Sequence, residues 1–176
     1  MSLEEDIQQK EFRSDYHKAF LNILHTHYFL VDKMNAMLKK YDITRQQYNV
    51  LRILRGQYPG HASVNLIKDR MLDKMSDASR IVERLRLKEL ITREYCENDK
   101  RKVEVKITPK GLLLLEAMQP SVDSFDKLLQ NLSPAEARQL SEFLDKIRIS
   151  AGGTNATSQN SGEVKTEEKI TTLASF

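Results

Sequence analysis

Near the middle of the chain, Ser76, Ser79, Arg80, Glu83 and Arg84 fall three or four residues apart, so on a helix they share one stripe. Short hydroxyls can approach base edges closely, and an arginine can pair in bidentate fashion with O6 and N7 of guanine. Such a contact is worth about 1–3 kcal/mol of discrimination against the wrong base. The opposing interpretation is a solvated face on which Arg80 and Arg84 pair with Glu83 or Asp77. Some twenty residues on, Asp99-Lys100-Arg101-Lys102 places three cations at the tip of a candidate β-turn. An arginine on such an arm suits the minor groove, where the negative potential is high, above all over A·T tracts. Asp99, two residues earlier, is positioned to hold the Arg101 guanidinium extended. An exposed charged turn is the alternative.

Other chemistries find little support. There is no Gly-rich phosphate loop, nucleophile elbow or His-Glu metal helix, so no enzymatic activity and no cofactor is expected. Asp77 and Glu83, six residues apart, face too poorly for a catalytic pair. Cys96 is the single cysteine, which excludes an intramolecular disulfide and a thiolate zinc cluster. His17, His25, His27 and His61 do not set two ligands one helical turn apart beside a carboxylate. The apolar runs are too short for a membrane span and the start MSLEEDIQQKEF is no signal peptide, so a cytoplasmic protein is expected.

The 176 residues carry a net charge of +3, unevenly spread. Residues 41–110 hold 16 Lys/Arg against 10 Asp/Glu, a net of +6, which leaves −3 for the flanks. A cationic middle suits a nucleic-acid partner.

The elements that must position these residues follow from periodicity and caps. Phe12, Tyr16, Phe20, Ile23, His27, Leu30, Met34 and Leu38 recur at helical spacing, which predicts one long helix, or two with a slight break between them. A helix this long on so small a protein must bury its stripe, and a partner subunit is a good candidate. Thr44 with Gln47 forms a capping box for the next helix, with Tyr48, Leu51 and Leu54 inward. Ser63 caps a short third helix, and Lys74 or Met75 opens a fourth. Val103–Ile107 alternates apolar and polar residues, so it predicts a strand, pairing with Thr92–Cys96 across ENDKRK. Thr108-Pro109 and Ser133-Pro134 open two further helices, the last ending near Ile149. Residues 151–176 are rich in Gly, Ser, Thr and Asn and are expected to be disordered.

Helix, short helix, helix and hairpin in a basic segment make a winged helix-turn-helix. The fold expected is mostly α with a small β-hairpin wing, plus a helical dimerisation domain. The expected divisions are 1–40 for an N-terminal dimerisation helix, 41–110 for the DNA-binding domain, 111–150 for C-terminal dimerisation helices, and the tail. The stretch SDASRIVERLRLKELITREYCENDKRKVEVKITPKG resembles the recognition helix, wing and following helix start of the MarR family. Ser-Arg precedes an apolar-apolar-Glu-Arg-Leu run; a Leu-Ile-x-Arg strand start, the Asp-x-Arg tip and Thr-Pro-x-Gly follow in order. The resemblance covers about residues 12–150.

The resemblance implies an obligate homodimer, with the first and last two helices intertwined, on a pseudopalindromic operator in double-stranded DNA. By position, Ser76, Ser79 and Arg80 would read the major groove and Arg101 the minor groove, with Asp99 orienting it. Thr44, Ser63, Lys74 and Arg84 would touch phosphates, and Lys100 and Lys102 flank the inserted arginine. It also implies a small aromatic or anionic effector between the dimer helices and the reading head, for which Tyr16, Phe20, His27 and Tyr48 are candidates. Core and dimer packing is the other role open to these four. Members that sense oxidants use a cysteine on the first helix, which this chain lacks; Cys96 falls on the wing instead. A winged helix that binds protein rather than DNA is the rival class, and such modules tend to lose the cations that this chain keeps.

Overall fold

The computed structural model describes residues 2–96 and 99–152, with side chains described for 2–95 and 103–149. The tail beyond Gly152, expected to be disordered, lies outside the described residues. The chain divides into two compact units, one up to Met118 and one from Gln119 onward.

The first unit opens with a four-residue helix, α1 (Leu3–Asp6), which the sequence reading missed although Ser2 and Glu5 carry the signal. The Ser2 amide donates to Glu5 Oε2 at 2.8 Å. Leu3 is buried, Lys18 pairs with Glu4, and His25 Nε2 lies 3.2 Å from Asp6 Oδ2, so α1 is tied to the long helix α2 (Asp15–Lys39). Ser14 caps α2 by accepting from the His17 amide. Of the predicted stripe only Leu38 is buried in the single chain, joined by its neighbour Met37; Tyr16 is 89% and Phe20 59% exposed.

The reading head follows. Thr44 and Gln47 form the expected capping box of α3 (Arg45–Arg55), the Gln47 amide donating to Thr44 Oγ1 and the Thr44 amide to Gln47 Oε1. Ser63 accepts from the Leu66 amide and starts α4 (Val64–Arg70). The following helix, α5, spans Ala78–Leu87 and starts three or four residues later than expected. Asp77 is its N-cap, accepting from the Arg80 amide at 3.1 Å, so Lys74, Met75 and Ser76 belong to the preceding loop. Val50, Leu51, Ile67, Val82, Leu85 and Val105 are fully or almost fully buried and form the core that α3, α4, α5 and the sheet share.

The wing consists of β2 (Ile91–Cys96) and β3 (Asp99–Ile107), antiparallel, with Ile91 opposite Ile107 and Arg93 opposite Val105. A third strand, β1 (Ala62–Ser63), pairs with β3 through Ala62 and Val105, so the expected hairpin is a three-stranded sheet in the order β1-β3-β2. Two residues of strand give no period in the sequence; their pairing is tertiary. Glu94 and Glu104 stand directly opposite, and Lys106 lies 4.0 and 3.5 Å from their carboxylates, which offsets the like-charge repulsion.

Helix α6 (Pro109–Asp126) starts as predicted, Thr108 Oγ1 accepting from the Gly111 amide. Its entry is fixed against the end of the recognition segment, where the Thr108 amide and hydroxyl donate to the Leu90 and Glu89 carbonyls. In the second unit, α7 (Pro134–Gly152) begins at Ser133, whose hydroxyl and amide donate to Glu136. Leu140, Phe143 and Ile147, spaced three and four apart on α7, are each about half exposed.

Gly111 shows how tightly the wing and α6 meet. A Cβ there would stand 2.3 Å from the Leu90 carbonyl oxygen and 2.8 Å from an Ile107 side-chain carbon. The carbonyl is backbone and cannot swing away, so Gly111→Ala is expected to cost about 1–3 kcal/mol of stability. The denaturant midpoint of the variant reads this; an unchanged midpoint would mean that the wing does not pack on α6 in this way.

Candidate nucleic-acid interface

Helix α5 presents its inner face, Ala78, Val82 and Leu85, to the core and leaves Ser79, Arg80 and Arg84 exposed. The one carboxylate on that stripe is spoken for. Arg86 Nε and Nη2 donate to Glu83 at 2.7–3.2 Å, and Arg93 on β2 approaches it to 3.9 Å. The Arg86 hydrogen bond holds the Glu83 carboxyl below its ordinary range. Asp77, the other acid considered, is turned to the Arg80 backbone amide as a cap. Among the described residues Arg80 and Arg84 therefore have no carboxylate partner, and the solvated, self-neutralised face does not form.

Ser76, predicted on the same helical stripe, is in the loop instead. Its hydroxyl donates to Asp73 Oδ2 at 2.7 Å, and Asp73 Oδ1 accepts from the Met75 amide at 3.1 Å. Gln46 Nε2 reaches the same carboxylate at 3.5 Å, and the Leu72 amide donates to Asn49 Oδ1 at 2.9 Å. Lys74 bonds the Asp69 carbonyl. The loop between α4 and α5 is thus held by side chains of α3, a role for Asp73, Gln46 and Asn49 that sequence reasoning missed. An Asp-x-x-Ser spacing at 73–76 was the available signal for such a turn.

Thr44 and Ser63 are exposed N-caps whose oxygens accept from backbone, which leaves each hydroxyl proton free to donate to a phosphate. Between the end of α2, the start of α3 and the end of α5 lies an open groove of about 700 Å³, lined in part by Lys39, Arg45, Thr44 and Arg84. Lys88 closes one side by bonding Asp42 Oδ2 at 2.7 Å. Thr44 and Arg84, far apart in sequence, meet here.

On the wing, the register jumps between Tyr95, opposite Val103, and Cys96, opposite Asp99. Lys100, Arg101 and Lys102 are the extra residues that this irregularity inserts into β3, so the basic tip is a widened stretch of strand rather than a simple turn. The side chains of Cys96, Asp99, Lys100, Arg101 and Lys102 lie outside the described ones.

The effector candidates are scattered. Tyr16, Phe20 and His27 are exposed on α2, whereas Tyr48 is 4% exposed on α3. Burial holds the Tyr48 phenol above its ordinary pKa, against the pull of Arg52 and Arg55. None of the four lines the groove above, nor a smaller cavity of about 220 Å³ between α1 and α2 that includes Asp6 and His25. Among the described residues no group of acids, histidines and cysteines is arranged to hold a metal, and no helix is long and apolar enough to cross a membrane.

A helix-turn-helix whose second helix is capped and packed beside a three-stranded wing defines a winged helix-turn-helix. The MarR family model matches residues 43–103, which span α3 to the wing. The multiple antibiotic resistance protein MarR of Salmonella typhimurium is 33% identical over 116 residues, covering 65% of this chain and 79% of that protein. The HTH-type transcriptional repressor IacR of Pseudomonas putida is 28% identical over 144 residues, covering 81% and 84%. Among solved structures, the S. aureus MepR–DNA complex has a TM-score of 0.64 at 26% identity and covers 80% of this chain and 99% of that one. The chain belongs to the MarR family, as a DNA-binding transcriptional regulator of the winged helix-turn-helix class. Regulators of this family are not enzymes.

The Asp73 network makes a measurable claim. Asp73→Ala removes the acceptor of the Met75 amide, so hydrogen exchange at residues 73–76 is expected to accelerate while α3 stays protected. The Ser76 hydroxyl, foremost, and the Met75 amide hold the Asp73 carboxyl below its ordinary value of 3.8. A depressed folded-state pKa contributes stability that is present above the unfolded value and lost as pH falls through the folded one. The loop should therefore loosen in the parent only in acid. Unchanged exchange in the variant at neutral pH would exclude Asp73 as the pin.

Proposed function

We propose that the chain reads a pseudopalindromic operator as a homodimer and represses transcription until a small aromatic or anionic compound releases it. The observation that carries the reading is the pair of exposed, unneutralised guanidinium groups of Arg80 and Arg84 on α5. Ser79 and Arg80 sit in the first turn of α5, the end that meets base edges when a recognition helix lies in a major groove. Ser76, bonded to Asp73, supports that helix more than it reads. Thr44, Ser63, Lys74 and Arg84 would take phosphates, and the Thr44–Arg84 groove is a basic path for one strand. Arg101, oriented by Asp99 and flanked by Lys100 and Lys102, would enter the minor groove. The relative crystallised with DNA supports the partner, and the relative named a repressor supports the direction of regulation.

The dimer is argued from apolar surface. Tyr16, Phe20, Tyr28 and Phe29 are about half or more exposed on α2, and Leu140, Phe143 and Ile147 repeat the pattern on α7. Covering them offsets about 25 cal/mol for each Å² removed from water. A partner subunit over α2 would also enclose Tyr16, Phe20 and His27, which are open in one chain, so the effector cleft belongs to the dimer. The divisions at 1–40, 41–110 and 111–150 describe helix α2, reading head and closing helices in that assembly.

Two substitutions test the reading in fluorescence-anisotropy titrations against the gene's own upstream DNA and a scrambled duplex. Arg80→Ala is expected to flatten the preference between them, by about 1–3 kcal/mol. Arg101→Ala is expected to weaken binding by about 1–3 kcal/mol, chiefly on A·T-rich flanks. If Arg80→Ala lowers affinity for both duplexes equally, Arg80 is a phosphate contact and the base-reading assignment fails. Sedimentation equilibrium should give twice the 20.4 kDa chain mass, and a monomer at micromolar concentration would end the dimer proposal.

A further inference from the structure

The residue that projects most from the loop ahead of the recognition helix is apolar. Met75 is 95% exposed, more than any other large hydrophobic residue described, and Leu72 in the same loop is 67% exposed. The exposed aromatics of α2 belong to a long continuous stripe, but Met75 stands alone between Lys74 and Ser76, two residues ahead of the Asp77 cap.

Its projection is built. The Met75 amide is fixed to Asp73 Oδ1 at 3.1 Å, the next residue is fixed through the Ser76 hydroxyl, and the loop is anchored upstream by Asn49. These bonds fix where the Met75 Cα stands and the direction in which its side chain leaves the loop. The protein thus holds an apolar side chain in water just ahead of the first turn of α5. In a major groove the apolar feature on offer is the 5-methyl group of thymine, and no other base carries one. An unbranched, polarisable thioether suits it, since it adapts to methyl groups at slightly different positions.

We propose that Met75 is a specificity residue that packs against thymine methyl groups at the edge of the operator half-site, taking the place that the sequence had suggested for Ser76. The inference rests on the DNA-reading function proposed above, and the test separates the two.

The upstream duplex is prepared once with thymine and once with deoxyuridine throughout, which removes each 5-methyl and leaves every Watson–Crick edge intact. Parent, Met75→Ala and Met75→Leu are titrated against both, with a scrambled thymine duplex as control. Burying one carbon group is worth about 0.8 kcal/mol, so the parent should lose about fourfold or more in affinity on the uracil duplex. Met75→Ala should bind the thymine duplex about fourfold or more weakly than the parent and be indifferent to the exchange; Met75→Leu should restore most of the sensitivity. Met75→Ala is free of folding effects, because the side chain touches almost nothing. A parent indifferent to uracil, or a Met75→Ala variant that keeps the parent's full penalty, would overturn the proposal while leaving DNA reading intact. A parent that does not prefer the upstream duplex to the scrambled one would remove the DNA-reading function and this inference together.

Discussion

A helix that enters a groove of an anionic duplex must carry cations that its own protein does not neutralise. In this chain that condition depends on where Glu83 goes. The carboxylate lies on the outer side of α5 among four arginines, and Arg86, one turn ahead, takes it in a two-pronged hydrogen bond while Arg93 of the wing leans in from β2. Among the described residues Arg80, in the first turn of α5, and Arg84, in its last, are left without a carboxylate partner. An exposed ion pair such as that of Arg86 with Glu83 contributes little to stability, and its value is in deciding which guanidinium groups remain available.

The rest of the head serves to hold that helix at a fixed height. Val82 and Leu85 key it into the core built by Leu51, Ile67 and Val105. Asp77 caps its first turn, Asp73 and Asn49 brace the loop ahead of it, and Lys88 ties its last turn to Asp42. The braces come from α3, from the loop between α4 and α5 and from the turn before α3, so rotation of α5 would break several bonds at once. The long helix α2 contributes only its last turn to this core, through Met37 and Leu38, and leaves Tyr16, Phe20 and Tyr28 exposed.

Capping chemistry was the most legible feature of the sequence. Thr44, Ser63, Thr108 and Ser133 all start helices where their local pattern placed them, because a cap is satisfied within three residues and needs no tertiary information. At α5 the expected opening at Lys74 or Met75 was too early, because Asp77 takes the cap and Asp73 holds the Ser76 hydroxyl in the loop ahead of it. Strand β1 was invisible for the opposite reason: Ala62 and Ser63 become a strand only because Val105 and Glu104 lie beside them. Of the candidate site, the stripe on α5 was legible from spacing, but the availability of its arginines was not, since spacing alone allows Glu83 to pair with Arg80, Arg84 or Arg86 and only the packed structure gives it to Arg86, with Arg93 of β2 nearby. The four effector candidates share an aromatic character in sequence, yet three are open and one is buried, a difference that only packing decides.

The central claim is that this head reads DNA sequence through cations left free on α5. The most direct measurement is a titration of the unmodified protein onto its gene's upstream DNA and onto a scrambled duplex, by fluorescence anisotropy at several salt concentrations. The account predicts nanomolar affinity for the upstream fragment, a clear preference over the scrambled one, and a steep fall of affinity with salt as counterions are released. Weak binding that ignores sequence would contradict it, leaving a winged-helix fold whose exposed arginines serve another partner.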